Sequence, residues 1–342
     1  MPARLGMSVP LEGVALGDLT AWARELAALG YTDAWSSEAS GFDAFVPLAV
    51  TAAAAPELRL GTAIVPVYTR GPATLAMSAA ALASLAPGRF TLGVGTSSDV
   101  IVERWNGIPF TEPYKRARDM LRFLREALAG EKVDQDFETF SVHGFRLDRV
   151  PEVAPRLVLA ALRPGMLQLA GRDADGVVIN WLSAGDVPKI VVEVVHGALT
   201  RQRRQGGAGG QGEPDGLRGA PEVVCRIYCC PSEDTESVRT LGRKLIAAYL
   251  NVDVYARFQE WLGRGEVLRP MWEAWSVGDR AAATAAIPDE VVDDLIVHGT
   301  PEACREHIGR YVENGVTTPV IALLPWGIDQ RQAIRDLAPT AG

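Results

Sequence analysis

Gly61-Thr-Ala-Ile-Val-Pro-Val-Tyr-Thr-Arg-Gly-Pro72 and, further on, Gly88-Arg-Phe-Thr-Leu-Gly-Val-Gly-Thr-Ser-Ser98 decide the reading of this chain. Each stretch is an apolar strand that runs into a loop of small or polar residues. Loops without side-chain bulk let the backbone come close to a ligand. Two such loops on neighbouring strands predict a cofactor bed at one edge of a parallel sheet, and hence an enzyme. Pro66 removes a ladder donor and biases Val65 to extended geometry, so the first strand ends irregularly.

Working outward, strand-like and helix-like segments alternate. Strands are predicted at 4–9, 31–36, 58–65, 89–94, 156–161, 176–180, 222–230 and 319–324. Between them, helices are predicted at 16–29, 42–54, from Pro72 to before Pro87, and at 114–128, 164–171, 186–204, 234–250 and 302–314. Gly30 and Gly315 stand where helix ends need them, and Pro72 suits a first turn. Eight short-looped βα units over 342 residues are the pattern of a single-domain (β/α)8 TIM barrel, here with insertions after strands 4 and 7.

Three segments exceed the bare repeat. Residues 98–113 read as a loop after strand 4, and 131–150 alternate like a small hairpin. Residues 251–297 form a helical insertion rich in Trp, on the side where barrel loops build active sites. It serves either as a lid over the mouth or as a dimer surface. The glycine tract within 205–220 reads as a flexible surface loop.

The composition, 48% hydrophobic with a formal charge of -8, fits a soluble globular protein and disfavours nucleic acid or an anionic membrane as partner. Arg201-Gln-Arg-Arg204 is short and reads as a solvated helix end. Cys225, Cys229 and Cys230 share one apolar strand, where neighbours face opposite ways, so they and Cys304 read as buried thiols rather than metal ligands. His143, His196, His298 and His307 stand apart from other ligand types at strand ends, so no metal site is predicted. No apolar run is long enough to span a membrane, and the first residues enter a strand without a signal segment. A reducing cytoplasm is expected.

The chemistry-bearing candidates lie at strand ends. Glu38 and Asp43 flank the end of strand 2 in Ser36-Ser-Glu-Ala-Ser-Gly-Phe-Asp43, where barrel carboxylates are catalytic candidates. Their plain alternatives are an ion pair for Glu38 and a helix cap for Asp43. Gly93-Val-Gly-Thr-Ser-Ser98 lacks the third glycine of a dinucleotide fingerprint, but its hydroxyls could hold polar atoms of a ring or a phosphate. Leu159-Ala-Ala-Leu162 leaves little bulk at the top of strand 5. Asn180-Trp181 joins an amide to an indole at the end of strand 6, for stacking or for packing. No Gly-x-Ser-x-Gly and no Ser-His-Asp arrangement is readable, which argues against a hydrolase.

Taken together, Pro66–Pro72, Gly88–Ser98, Ala160–Leu167, Ala170–Trp181 and Gly299–Glu302 resemble the bacterial-luciferase-like barrel superfamily, and within it the branch that uses the deazaflavin coenzyme F420. The resemblance implies a non-proline cis peptide at Ala63-Ile64. It implies a coenzyme ring near Glu38, Ala63, Ile64 and Val65. It places the tail and phosphate at Gly95, Thr96, Ser97, Ala160, Ala161 and Leu162, with Asn180 and Trp181 beside them. The coenzyme would supply the hydride chemistry, and the protein its pose and a proton donor or acceptor. Two departures argue against a sugar-phosphate substrate: Ala39 follows Glu38 where those members carry His, and Ser183 stands for their phosphate-binding Lys. The chain is more similar to the methylene-tetrahydromethanopterin reductase type. The expectation is a homodimeric F420-dependent oxidoreductase that reduces an activated C=C or C=N bond of a small organic molecule, with Glu38 or Asp43 handling the proton. The alternatives are an FMN-dependent monooxygenase and a non-catalytic flavin-binding barrel.

Overall fold

Eight parallel strands close on themselves. They are β1 (Gly6–Ser8), β2 (Asp33–Ser36), β3 (Arg59–Thr62, resuming at Val65–Pro66), β4 (Phe90–Gly95), β5 (Arg156–Ala160), β6 (Gly176–Asn180), β7 (Glu222–Cys230) and β8 (Thr318–Leu323). The pairing Gly6↔Val320 joins β8 back to β1 and completes the cylinder. The protein is known from a computed structural model that describes residues 4–206 and 221–339. Most of the tract expected to be a flexible loop, 207–220, lies outside the described residues. The fold is the expected (β/α)8 TIM barrel.

Alternation sorts each strand into an inner and an outer face. The outer residues meet a ring of helices: α1 (Leu19–Ala28), α2 (Phe45–Ala54), α3 (Pro72–Leu85), α4 (Pro113–Leu128), α5 (Pro164–Asp173) and α6 (Val187–Gly206). The inner residues stack in layers. At the bottom Arg4 is ion-paired with the buried carboxylates of Asp33 and Glu222, and Thr318 donates to Glu222 at 2.7 Å. The middle layer is apolar, with Trp35, Val158, Val178, Val224 and Val320 in one cluster. Gly61 makes room for Trp35, since a Cβ there would stand 2.3 Å from the indole. The barrel is therefore a filled core up to this level, and only its upper end is open to carry a site.

Between the strands, the hairpin expected within 131–150 is present as Val133–Asp136 paired with Ser141–Phe145. The loop after β4 is more ordered than its sequence suggests: Val100–Trp105 form a wide π-helical turn.

The helical insertion begins earlier than its sequence boundary. The helix after β7, α7 (Thr235–Leu250), packs on α8 (Asp253–Leu262), α10 (Arg280–Ala285) and α11 (Asp289–Leu295), with α9 (Gly265–Ser276) between them. The helix that packs on β8 is instead α12 (Pro301–Glu313). A short strand, Ile296–His298, was not anticipated. It pairs with Tyr228–Cys230 at the upper end of β7, on the edge that β6 leaves free above Arg226. A last helix, α13 (Gln330–Asp336), was also not anticipated; Asp329 caps it and Tyr31 donates to its Ile334 carbonyl at 2.8 Å.

Candidate functional site

The third inner layer is where the barrel opens. Two positions further along each strand, on the same inner face, it comprises Ser8, Ala63, Gly95, Ala160, Asn180, Arg226 and Ala322. All but Asn180 and Arg226 are small. Ala63, Ile64 and Ala160 pack from above on the middle layer and remain half-buried. The mouth thus has an apolar floor from β3 to β5 and two long polar side chains on β6 and β7.

The floor is built by backbone. The Ala63-Ile64 peptide is cis, as the resemblance implied. Where the ladder between β3 and β4 pauses, the Thr62 hydroxyl bridges it: it accepts from Gly93 N and donates to Gly93 O, both at 2.8 Å. Gly93 has no room for a side chain, because a Cβ would lie 1.9 Å from the Thr62 carbonyl oxygen. Gly95 is similarly close to the mouth, its virtual Cβ 2.9 Å from that of Ala160 and 3.1 Å from the Ile64 side chain. Val67 N donates to Gly95 O at 2.9 Å and holds the two strand ends together. Beyond Gly95, Thr96 is half-buried and Ser97 adopts a left-handed backbone, φ 61°, an uncommon state for a residue with a side chain.

The structure brings the expected site residues together on one end of the barrel. Ala63, Ile64, Thr96, Ser97, Ala160, Leu162 and Asn180 are half-buried, whereas Val65, Gly95, Ala161 and Trp181 are buried. The last four meet a ligand through backbone or not at all.

Glu38 and Asp43 are joined by a residue that the sequence reading quoted without assigning it. Arg70 Nη1 donates to both Glu38 oxygens, at 2.5 and 2.6 Å, and Nη2 lies 3.8 Å from Asp43. The Arg70 guanidinium also lies over the Phe45 ring, 5.1 Å from its centre. Asp43 caps α2 by accepting from Phe45 N at 2.8 Å and Val46 N at 3.2 Å. Ala44 N donates to Glu38 Oε2 at 3.2 Å, and Glu38 N donates to Ile64 O at 3.2 Å. Glu38 is therefore tied to the floor through its own backbone.

The opposite wall is aromatic. Trp181 is 1% exposed and left-handed, φ 56°. Its ring lies 4.3 Å from Tyr228 and 5.1 Å from Tyr249, centre to centre. Buried Gln259 of α8 donates to the Trp181 carbonyl at 2.6 Å. Trp181, Tyr228, Ala322 and Leu324 share a second hydrophobic core with α7, α9 and α11, so the insertion sits over the ends of β6, β7 and β8. Burial raises the Tyr228 phenol pKa, with Arg226 and the Asn180 amide acting in the other direction. Burial likewise raises Tyr255, which also meets the Asn180 side chain. Trp35 Nε1, Trp181 Nε1 and Arg226 Nε are buried without a hydrogen-bond partner. Trp35 and Trp181 are buried outright, so of these three only Arg226, on a half-buried residue, stands at the mouth.

Arg226 escaped the sequence reading because its strand was read for cysteines. The available signal was a lone charge in an apolar run, at even spacing from Val224 and Tyr228.

Outside the mouth, Ser183, Asp293, His298, His307 and Arg310 line a cleft of about 480 Å³. His307 stacks on Tyr311 with ring centres 5.8 Å apart; burial, Arg310 and His298 pull its pKa down from 6.5 to about 4. The unfolded chain takes up this proton at higher pH than the folded one. Stability is expected to fall as pH drops from about 6.5 towards 4, and less so in His307→Gln. Urea unfolding at a series of pH values measures this.

Among the described residues no group of His, Cys, Asp and Glu could hold a metal ion, and no helix is long and apolar enough to cross a membrane.

Residues 1–318 match the family described as luciferase-like monooxygenases. A 5,10-methylenetetrahydromethanopterin reductase of Archaeoglobus fulgidus is 27% identical over 283 residues, 81% of this chain and 80% of its own length. A putative coenzyme F420-dependent oxidoreductase of Mycobacterium tuberculosis is 26% identical over 338 residues, 90% of each chain. Among solved structures, the coenzyme F420-dependent tetrahydromethanopterin reductase of Methanopyrus kandleri superposes with a TM-score of 0.78 at 19% identity, over 99% of this chain and 98% of the other.

Proposed function

The chain belongs to the luciferase-like monooxygenase family, and from that premise we propose that it is an oxidoreductase that uses coenzyme F420 to reduce an activated C=C or C=N bond of a small organic molecule. The reading rests on one observation above all: the floor of the mouth is reduced to Ala63, Gly95 and Ala160. The names of the relatives carry the choice of deazaflavin over FMN. The chemistry such a coenzyme supplies is transfer of a hydride at its ring carbon.

Each residue then has a task. Ala63, Ile64 and Val65 back the ring. Gly95, Thr96, Ser97, Ala160, Ala161 and Leu162 take the tail. Asn180 and Trp181 close the rim, and the insertion limits the access of water. Glu38 relays the proton that accompanies reduction; Asp43, engaged as a cap, keeps Arg70 in place. Glu38→Gln is expected to lower kcat by ~100-fold at unchanged affinity for the coenzyme. Unchanged turnover dismisses the relay.

Titration of the purified protein with coenzyme F420 and with FMN, side by side, tests the whole reading. Tighter binding of F420 is expected; preference for FMN, with oxygen required for turnover, makes it a monooxygenase instead.

A homodimer is part of the proposal. Val192, Val195 and Leu199 form an exposed apolar stripe on α6. Sedimentation is expected to give twice the chain mass, and Val195→Glu to weaken association; a monomer at every concentration rejects it.

A further inference from the structure

Among the described residues Arg226 is a cation without a counter-charge. It stands on the inner face of β7, above Val224 and beside Asn180 of β6. Its Nε is buried and unpartnered. The guanidinium carbon lies 5.1 Å from the centre of the Tyr228 ring, and Nη1 reaches the Tyr228 hydroxyl only at 3.4 Å. Among the described residues no carboxylate pairs with it. Arg4 pairs with Asp33, Arg70 with Glu38 and Arg264 with Asp186, and part-buried Arg89 and Arg116 donate to backbone carbonyls instead. Holding part of a guanidinium, its Nε, away from water with no anion is unfavourable, so the arrangement suits an anion that arrives from outside.

Its position says which ligand brings that anion. β7 lies four strands from β3 in either direction round the barrel. A ring laid on the β3–β5 floor leaves Arg226 facing it from the far wall, beneath Trp181, Tyr228 and Tyr249. The Trp181 and Tyr228 rings of that wall are buried, so what it presents to the mouth is one amide and one guanidinium, on half-buried Asn180 and Arg226. A guanidinium fork matches a carboxylate by two parallel hydrogen bonds.

We propose that Arg226, assisted by the Asn180 amide, anchors the carboxylate of the substrate, and that the substrate is a small organic acid that enters the mouth on the β6–β7 side. The proposal deepens the coenzyme reading above and rests on it.

Calorimetric titration of the F420-loaded protein with trans-cinnamate and with trans-cinnamamide tests this. The carboxylate is expected to bind at least tenfold more tightly than the amide. Arg226→Gln is expected to remove that preference while leaving the affinity for F420 within about threefold of the wild type. Equal binding of the two probes, or binding of neither, overturns the proposal. A loss of F420 affinity beyond tenfold in Arg226→Gln also overturns it, because the cation then serves the coenzyme. Should Arg226→Gln fail to fold, Arg226→Lys is expected to keep a weakened preference; no preference in that folded variant counts against the proposal. The titration without coenzyme separates the two readings: a carboxylate preference in a protein that does not bind F420 keeps the anion site and rejects the coenzyme reading alone.

Discussion

Replacing Ala160 by Phe is expected to lower the affinity for coenzyme F420 by at least ~100-fold with the fold intact. Ala160 is half-buried, sits in the inner layer at the mouth, and touches the place where a Cβ on Gly95 would fall, 2.9 Å away. A phenyl group there has only the open end of the barrel to enter, because Val158 and Val178 already fill the layer below. It would occupy the floor itself. A hundredfold loss is about 2.7 kcal/mol, a modest part of what burying a tricyclic ring contributes. Fluorescence titration reads the affinity, and thermal unfolding shows whether the barrel survives. A variant that binds F420 like the wild type would put the ring elsewhere.

Gly93→Ala is the second large effect, and it falls on stability. The added methyl would stand 1.9 Å from the Thr62 carbonyl oxygen, a contact with backbone that no side-chain rotation relieves. β3 and β4 must part, and the two 2.8 Å bonds of the Thr62 hydroxyl to Gly93 go with them. Overpacking costs ~1–3 kcal/mol, and each buried group left unsatisfied adds ~1–3 kcal/mol. A loss of at least ~3 kcal/mol in urea unfolding is expected. A loss below ~1 kcal/mol would mean that the two strands separate freely at this level.

The sequence carried the barrel because its strands are apolar runs of the right length, punctuated by Gly and Pro at helix ends. Pro72, Gly30 and Thr300-Pro301 fall where the structure uses them. It also carried the floor, because Gly93, Gly95, Ala160 and Ala161 advertise missing bulk. Periodicity could not show which helix of the β7–β8 connection packs on the barrel. α7 and α12 are both amphipathic, and only tertiary contact assigns α12 to the barrel and α7 to the insertion. Ile296–His298 was too short to show alternation. The Arg70–Glu38 pair spans 32 positions, so no local pattern reveals it. Arg226 was legible in principle, as the lone charge within the apolar run Val223–Cys230.

The most direct measurement is the electron density of the chain crystallised with coenzyme F420. The account predicts the ring in van der Waals contact with Ala63, Ile64 and Ala160, its tail at Gly95–Ser97, and the Arg226 side of the mouth left free for substrate. A ring bound outside the mouth, or one whose polar edge takes up Arg226, would contradict it.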